Sequence, residues 1–159
     1  MNETTPSLEF PLERIHAAHR RATIIVGGIA SSLLVYVLVV EVLRRTQPDM
    51  PAMPAARMIR MAFFAVAVFA IFMATVAKAV LLRGAPPTPI ARLLRLQTTT
   101  ILAAALAELP AVLGLALFLL TRSRMDFYIL LAISAYMIVR HFPQRAAWET
   151  YVRRGSDAR

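Results

Sequence analysis

The sequence predicts an all-α, polytopic membrane protein: four transmembrane helices with an amphipathic segment at each end. Three observations carry this expectation. The chain has 159 residues, 58% of them hydrophobic, and a mean hydropathy of +0.62, which is more apolar than a soluble domain usually is. The apolar residues are blocked rather than scattered, in runs close to the roughly 20 residues that a membrane helix needs. Nine of the ten prolines (Pro6, Pro11, Pro48, Pro51, Pro54, Pro86, Pro87, Pro89 and Pro143) fall outside those runs, where a helix breaker is tolerated. A soluble bundle would need a polar stripe on each helix, and "FFAVAVFAIFMATVA" at residues 63–77 has none.

Taken in order, residues 1–21 read as a cytoplasmic amphipathic segment. Leu8, Phe10, Leu12 and Ile15 stand among charges there, a pattern that suits lying along a membrane surface before turning in. Residues 22–141 form the transmembrane domain, with spans at about 22–43, 61–82, 97–121 and 125–141. The first span contains "GGIASS". Gly27 and Ser31 are four apart, as are Gly28 and Ser32, and small residues at that spacing let membrane helices approach closely. Gly114 is the corresponding packing candidate in the third span. The fourth run is short, with Asp126 at its start and Arg140 near its end; it crosses if both side chains reach water at the interfaces. Residues 142–159 read as a basic cytoplasmic tail. Trp148 and Tyr151 are one turn apart there and suit the interfacial belt. Lys78, near the end of the second span, is a third interface anchor, able to snorkel to the cytoplasm.

The formal net charge of +9 does not point to nucleic acid, because the basic residues flank apolar spans. Twelve of them (Arg14, Arg20, Arg21, Lys78, Arg83, Arg92, Arg95, Arg140, Arg145, Arg153, Arg154 and Arg159) fall on the side of the two termini and the second loop. Six (Arg44, Arg45, Arg57, Arg60, Arg122 and Arg124) fall on the other. The positive-inside rule therefore puts both termini in the cytoplasm. Arginine outnumbers lysine seventeen to one, which leans towards a high-GC bacterial genome and hence a bacterial inner (plasma) membrane. The first apolar run is longer than a signal-peptide core and lacks a small-residue cleavage site directly after it. With no cysteine, neither disulfides nor thiolate metal sites are available. His16 and His19 share a helical face, with Glu13 near them, but nothing completes the three or four ligands of a closed metal site. No metal and no cofactor is expected. No phosphate-binding loop or Ser/His/Asp set is visible, so enzymatic chemistry is not expected.

Of nine acidic residues, Glu108 alone is deep. It stands in "ALAELPAVLG" (residues 105–114), eleven residues into the third run and thirteen from its end, near the bilayer midplane at 1.5 Å rise per residue. An ionised side chain there costs on the order of 3 kcal/mol, so the protonated acid is the expected resting form. Pro110 has no amide proton, so the Leu106 carbonyl loses its helical donor about half a turn from Glu108. A carboxyl that changes protonation beside a loosened helix is minimum equipment for proton handling. The same acid, kept neutral, can instead bridge two helices.

The stretch "LQTTTILAAALAELPAVLGLALFLL" (residues 96–120) resembles the second helix of the c subunit, or proteolipid, of rotary ATP synthases, with "ALAE" at residues 105–108 and Gly114 six positions on. The resemblance covers one hairpin, about residues 61–120. It implies that Glu108 matches the carboxylate that binds the translocated proton. It also implies that residues 83–95 match the polar cytoplasmic loop, where the arginine distribution independently puts them. Residues 61–82 carry no glycine repeat, and the spans on either side of the hairpin have no counterpart in a two-helix subunit. Leu109 follows the acid, and Thr98, Thr99 and Thr100 lie more than two turns away. With no hydroxyl next to the acid along the chain, a proton rather than sodium is the expected ion.

Three roles remain open from the residues: a proton-linked membrane protein with a c-subunit-like hairpin, a structural or assembly subunit of a membrane complex, and a small proton-coupled exporter. All three imply a lipid bilayer as surroundings, and a homo-oligomer or a larger membrane complex as setting. The predicted orientation is directly testable, because the native chain has no cysteine. A single cysteine placed at Ala85 should stay unlabelled by a membrane-impermeant thiol reagent in intact cells and label once the membrane is opened. Labelling in intact cells would reverse the orientation.

Overall fold

The computed structural model describes residues 12–46, 56–81, 86 and 88–153. The expectations that fall on residues 1–11, 47–55, 82–85 and 154–159 lie outside it. The described chain is all helical: α1 (Leu12–Thr46), α2 (Ala56–Leu81), α3 (Pro89–Thr121), α4 (Arg124–His141) and α5 (Arg145–Arg153). Glu13–Thr46, Arg57–Leu81 and Pro89–Thr121 are each long and apolar enough to cross a membrane. A fourth crossing counts if α4 and α5, bent by 47° at their junction, are taken as one broken span.

Three boundaries differ from the sequence expectations. No turn separates an N-terminal surface segment from the first span. α1 runs unbroken from Leu12, because residues 12–26 contain neither proline nor glycine and a helix once nucleated propagates through such a run. The second loop is shorter than residues 83–95, since α3 already begins at Pro89. Thr88 is its N-cap, in an extended conformation, and its hydroxyl accepts from the Ala91 amide at 3.3 Å. Proline at the first helical position fits because its missing N–H would have been unpaired there anyway. The basic tail also holds a helix. The chain bends by 47° around Pro143, and α5 leans over onto α1 and α3.

α3 is the axis of the bundle, and α1, α2, α4 and α5 all pack on it. Over its middle, the buried residues are small apart from Pro110: Ala103, Ala104, Ala107, Ala111 and Gly114. α1 runs parallel to it. Ile15, Ala18 and Ala22 meet Leu93 and Leu96 near one end of the bundle, and Val40 meets Phe118 near the other. α2 turns Ala67, Ala70 and Ala74 inward while Val68, Phe69 and Phe72 stay exposed. A water-soluble helix would bury the phenylalanines. Small residues inside and large ones outside is the arrangement suited to lipid, where packing rather than hydrophobic expulsion joins helices. On α4, Phe127 and Leu130 are fully buried. A Cβ at Gly114 would stand 3.0 Å from the Leu130 Cβ and 3.3 Å from the Phe127 carbonyl. At Gly27 and Gly28 it would meet nothing within 4 Å, so no helix of this chain uses their smallness.

Polar contacts fasten both ends. At one end, Arg60 of α2 grips Asp126 of α4 through Nε and Nη2, both at 2.8 Å; Asp126 is buried and Arg60 exposed. The two-residue turn between α3 and α4 puts Arg122 at a φ of 58°, and its amide closes α3 by donating to the Phe118 carbonyl at 2.8 Å. Tyr128 of α4 donates to Glu41 of α1 at 2.8 Å.

At the other end, α5 is clasped. Trp148 is 3% exposed and packs among Ile15, Ala18, Leu93 and Leu96. It is therefore part of the protein core and not an interfacial anchor. Tyr151 lies half-buried at the edge of the same cluster. The reason is the bend between α4 and α5, which sets the apolar face of the tail against α1 and α3. His19 stands edge-on to the Trp148 ring, with centroids 5.4 Å apart, and donates from Nε2 to the Pro143 carbonyl at 3.1 Å. Arg145 donates to Glu149 at 2.9 Å and to His16 Nε2 at 2.7 Å. The Arg145 guanidinium holds the Glu149 carboxyl below the usual carboxylate range. Arg92, a loop residue by the sequence reading, is buried and donates to the carbonyls of Pro86 at 2.7 Å and Val152 at 3.1 Å.

The glycine geometry sets an expectation for stability. Leu130 Cβ and the Phe127 carbonyl are fixed to the α4 backbone, so Gly114→Val should force α3 and α4 apart and cost about 1–3 kcal/mol. Gly27→Ala should be neutral or slightly stabilising. Denaturant titration in mixed micelles, followed by helix content, would compare the two; equal effects would contradict the packing described here.

Candidate functional site

Glu108 is half-buried on α3 and faces α1. The α1 residues that meet it are Ser32 and Tyr36. They are four apart and so share one face of the helix. The Tyr36 hydroxyl donates to Glu108 Oε1 at 2.6 Å, and Ser32 Oγ is hydrogen-bonded to the same oxygen. Parallel packing of α1 and α3 makes this possible, since mid-span residues of the two helices then come to one depth. Around the cluster lie Leu33, Ala104, Ala107 and Ala111, so the polar groups stand in an apolar frame.

The hydroxyl count matters. Ser32 has one proton, and its oxygen also lies 2.6 Å from the Ile29 carbonyl. When Glu108 is ionised, Ser32 and Tyr36 can both donate to it. When Glu108 is protonated, its O–H can donate to Ser32 Oγ, whose own proton turns to the Ile29 carbonyl, while Tyr36 continues to donate to Glu108. A hydroxyl can be donor and acceptor at once, so each form of the acid finds partners without movement of a helix. Switching between the two hydrogen-bond patterns needs only a rotation of the serine hydroxyl.

The freed Leu106 carbonyl, about half a turn from Glu108, is one acceptor that the sequence offers the acid. The structure gives that place to the α1 hydroxyls. The backbone of α3 does receive a side-chain donor close by: Ser134 of α4 donates to the Ala107 carbonyl at 2.6 Å, fully buried. Pro110 is buried two residues beyond Glu108, and α3 continues through it as helix. Lys78 stands apart from Glu108. It is exposed near the end of α2 and lines a cavity there with Arg140 and His141.

Along the chain no hydroxyl adjoins Glu108; in space two do. Their sequence signal was a serine and a tyrosine spaced i, i+4 in an otherwise apolar span. Of the small-residue candidates in that span, Ser32 belongs to this cluster, whereas Ser31 is exposed and donates to the Gly27 carbonyl of its own helix at 2.9 Å. Among the described residues no group of three or more His, Cys, Asp and Glu side chains is placed to hold a metal ion.

The cluster makes a measurable coupling. Tyr36→Phe should cost about 0.5–1.5 kcal/mol of stability. Glu108→Leu should cost more, because two hydroxyls lose their acceptor. Combining Tyr36→Phe with Glu108→Leu should cost less than the sum of the two. Strict additivity in a micelle unfolding cycle would mean that the two side chains do not interact.

No protein-family model matches the chain, and no curated protein or solved structure is similar to it.

Proposed function

We propose that the chain is a proton-linked, multi-span membrane protein in which Glu108 takes up and releases a proton between α1 and α3. One observation carries this: a mid-span carboxyl meets two hydroxyls of a neighbouring helix, one of which has a second acceptor. A site built only to bridge helices needs to satisfy a single form of the acid, whereas this one accommodates both. Ionisable groups within membrane spans are also functional by default, because their burial is costly. The likeness of residues 96–120 to a c-subunit helix points the same way. The proposed bound species is a proton. Because Ser32 and Tyr36 bring two hydroxyls to the acid in space, the sequence argument against sodium no longer applies, and sodium is a control in the test below. The setting is the inner membrane of a bacterium, with both termini in the cytoplasm. The open surface at Gly27 and Gly28 fits a homo-oligomer or a place in a larger membrane complex.

A second reading has its own support. The same hydrogen bonds tie α1 to α3, as a structural or assembly subunit would need. The two readings separate on whether the acid titrates. In lipid-reconstituted protein, infrared difference spectra between acid and alkaline conditions should show the carbonyl band of a protonated carboxylic acid that is lost in Glu108→Gln. A change in the Tyr36 ring modes should accompany it, and added sodium should leave the titration in place. Carbodiimide should modify Glu108, more slowly as pH rises. Glu108→Gln keeps the shape and a neutral acceptor, so it should fold and assemble while losing proton-dependent activity. An acid whose protonation never changes while the protein stays folded, with full activity in the glutamine variant, would sink the proton-handling proposal and leave the bridge.

A further inference from the structure

Where α2, α4 and α5 meet, a cavity of about 570 Å³ opens beneath α5. Lys78, Arg140 and His141 line one part of it; Leu96, Phe142 and Trp148 supply apolar wall. Among the described residues no carboxylate lines it. Three other cations at the ends of the bundle are matched by acids: Arg44 by Glu41, Arg60 by Asp126 and Arg145 by Glu149. Lys78 and Arg140 form no ion pair among the described residues, and Arg140 reaches only the Tyr136 hydroxyl, at 3.4 Å. His141 is buried, and its Nδ1 donates to the Met137 carbonyl at 2.8 Å, which leaves Nε2 as the uncommitted polar atom of a ring on the cavity wall. The Tyr151 hydroxyl is buried without a hydrogen-bond partner, and Tyr151 also lines the cavity. Two cations and an uncommitted imidazole nitrogen therefore border one space.

The space does not end there. A second cavity of about 310 Å³ shares Lys78, Arg140 and His141 and continues to Thr75 and Ala79 on α2. That direction leads from Lys78 one turn into the span of α2, to Thr75. The cations thus sit at the junction of a polar chamber under α5 and a groove running into the lipid-facing surface. Lys78 and Arg140 each lie within a few residues of a helix end, the depth at which lipid headgroups lie.

From this we infer that Lys78, Arg140 and His141 form a binding site for the phosphate of an anionic phospholipid, with the headgroup under α5 and an acyl chain along the α2–α4 groove. A soluble phosphate shares the recognition chemistry, because two cations and an imidazole nitrogen suit any phosphate oxygen. The groove favours the lipid, since a free anion has no use for it. Basic pockets between membrane helices are the kind of place where anionic headgroups bind.

The chain has a built-in reporter: Trp148 is its one tryptophan and lines the cavity. The full-length protein is placed in phosphatidylcholine nanodiscs with rising fractions of phosphatidylglycerol, and Trp148 emission is followed. A saturable change is expected. Lys78→Gln combined with Arg140→Gln should move its midpoint to at least about tenfold more phosphatidylglycerol, roughly what two headgroup-level cations contribute. Arg57→Gln combined with Arg124→Gln, at the opposite end of the bundle, should leave it unchanged. Inorganic phosphate in plain phosphatidylcholine discs should give no change at millimolar concentration. The inference is overturned by a wild-type signal that does not saturate, or by equal shifts in the two double variants, which would mean diffuse charge attraction. A response to inorganic phosphate as strong as that to the lipid would overturn the lipid assignment.

Discussion

Close approach to the small-residue surface of α3 is the constraint from which the rest of this structure follows. Ala103, Ala104, Ala107, Ala111 and Gly114 leave the backbone of α3 within reach of several helices at once. In lipid, helices gain little from hiding apolar surface and must gain from contact. A helix with bulky side chains all round could not sit at the centre of such a group. The large residues are instead turned outward on α2, where Phe69 and Phe72 face the surroundings. The same closeness has polar consequences: Ser134 reaches the Ala107 carbonyl only because α4 lies against the alanine face, and Ser32 and Tyr36 reach Glu108 only because α1 does.

Glu108 is accordingly less isolated than its sequence setting implies. An acid at mid-span with no partner would be expensive in either state, most of all when charged. Two hydroxyls from α1 reduce that cost, and their arrangement does not commit the acid to one state. The Ser32 hydroxyl has alternatives on both sides, the Ile29 carbonyl and the carboxyl itself. Pro110 and Ser134 act on the backbone of the same stretch. Proline removes one intrahelical donor, and the serine adds a side-chain donor at the neighbouring carbonyl. The mid-span region of α3 therefore combines a titratable group, a modified hydrogen-bond ladder and a tightly packed alanine face.

The end of the bundle at α5 obeys different physics. There the contacts resemble those of a soluble protein: a buried tryptophan, charged clasps and an arginine that reaches two backbone carbonyls. The bend into α5 closes one side of the cavity that holds Lys78, Arg140 and His141. The cap thus connects the membrane part of the molecule to the surface where headgroups and water meet it.

The three long spans and the lone deep acid were legible in the sequence, because both follow from local composition. A run of apolar residues is helical wherever it sits in lipid, since no other backbone form satisfies its own hydrogen bonds. A carboxyl within such a run is conspicuous whatever surrounds it. The start of α3 was also legible in principle, in the Thr88–Pro89 pair. Partners were not legible. Trp148 reads as an interfacial anchor from its neighbours, yet lies in the core because α5 leans onto α1 and α3. Tyr36 reads as one more residue of a span, yet it meets Glu108, 72 positions along the chain. Gly27 and Gly28 read as a packing motif, whereas the glycine held tightly within this chain is Gly114. Periodicity and hydropathy report what each helix is made of. Which faces meet, and at what depth, depends on the parallel alignment of α1 with α3 and on contacts among residues far apart in sequence, and those only the tertiary structure decided.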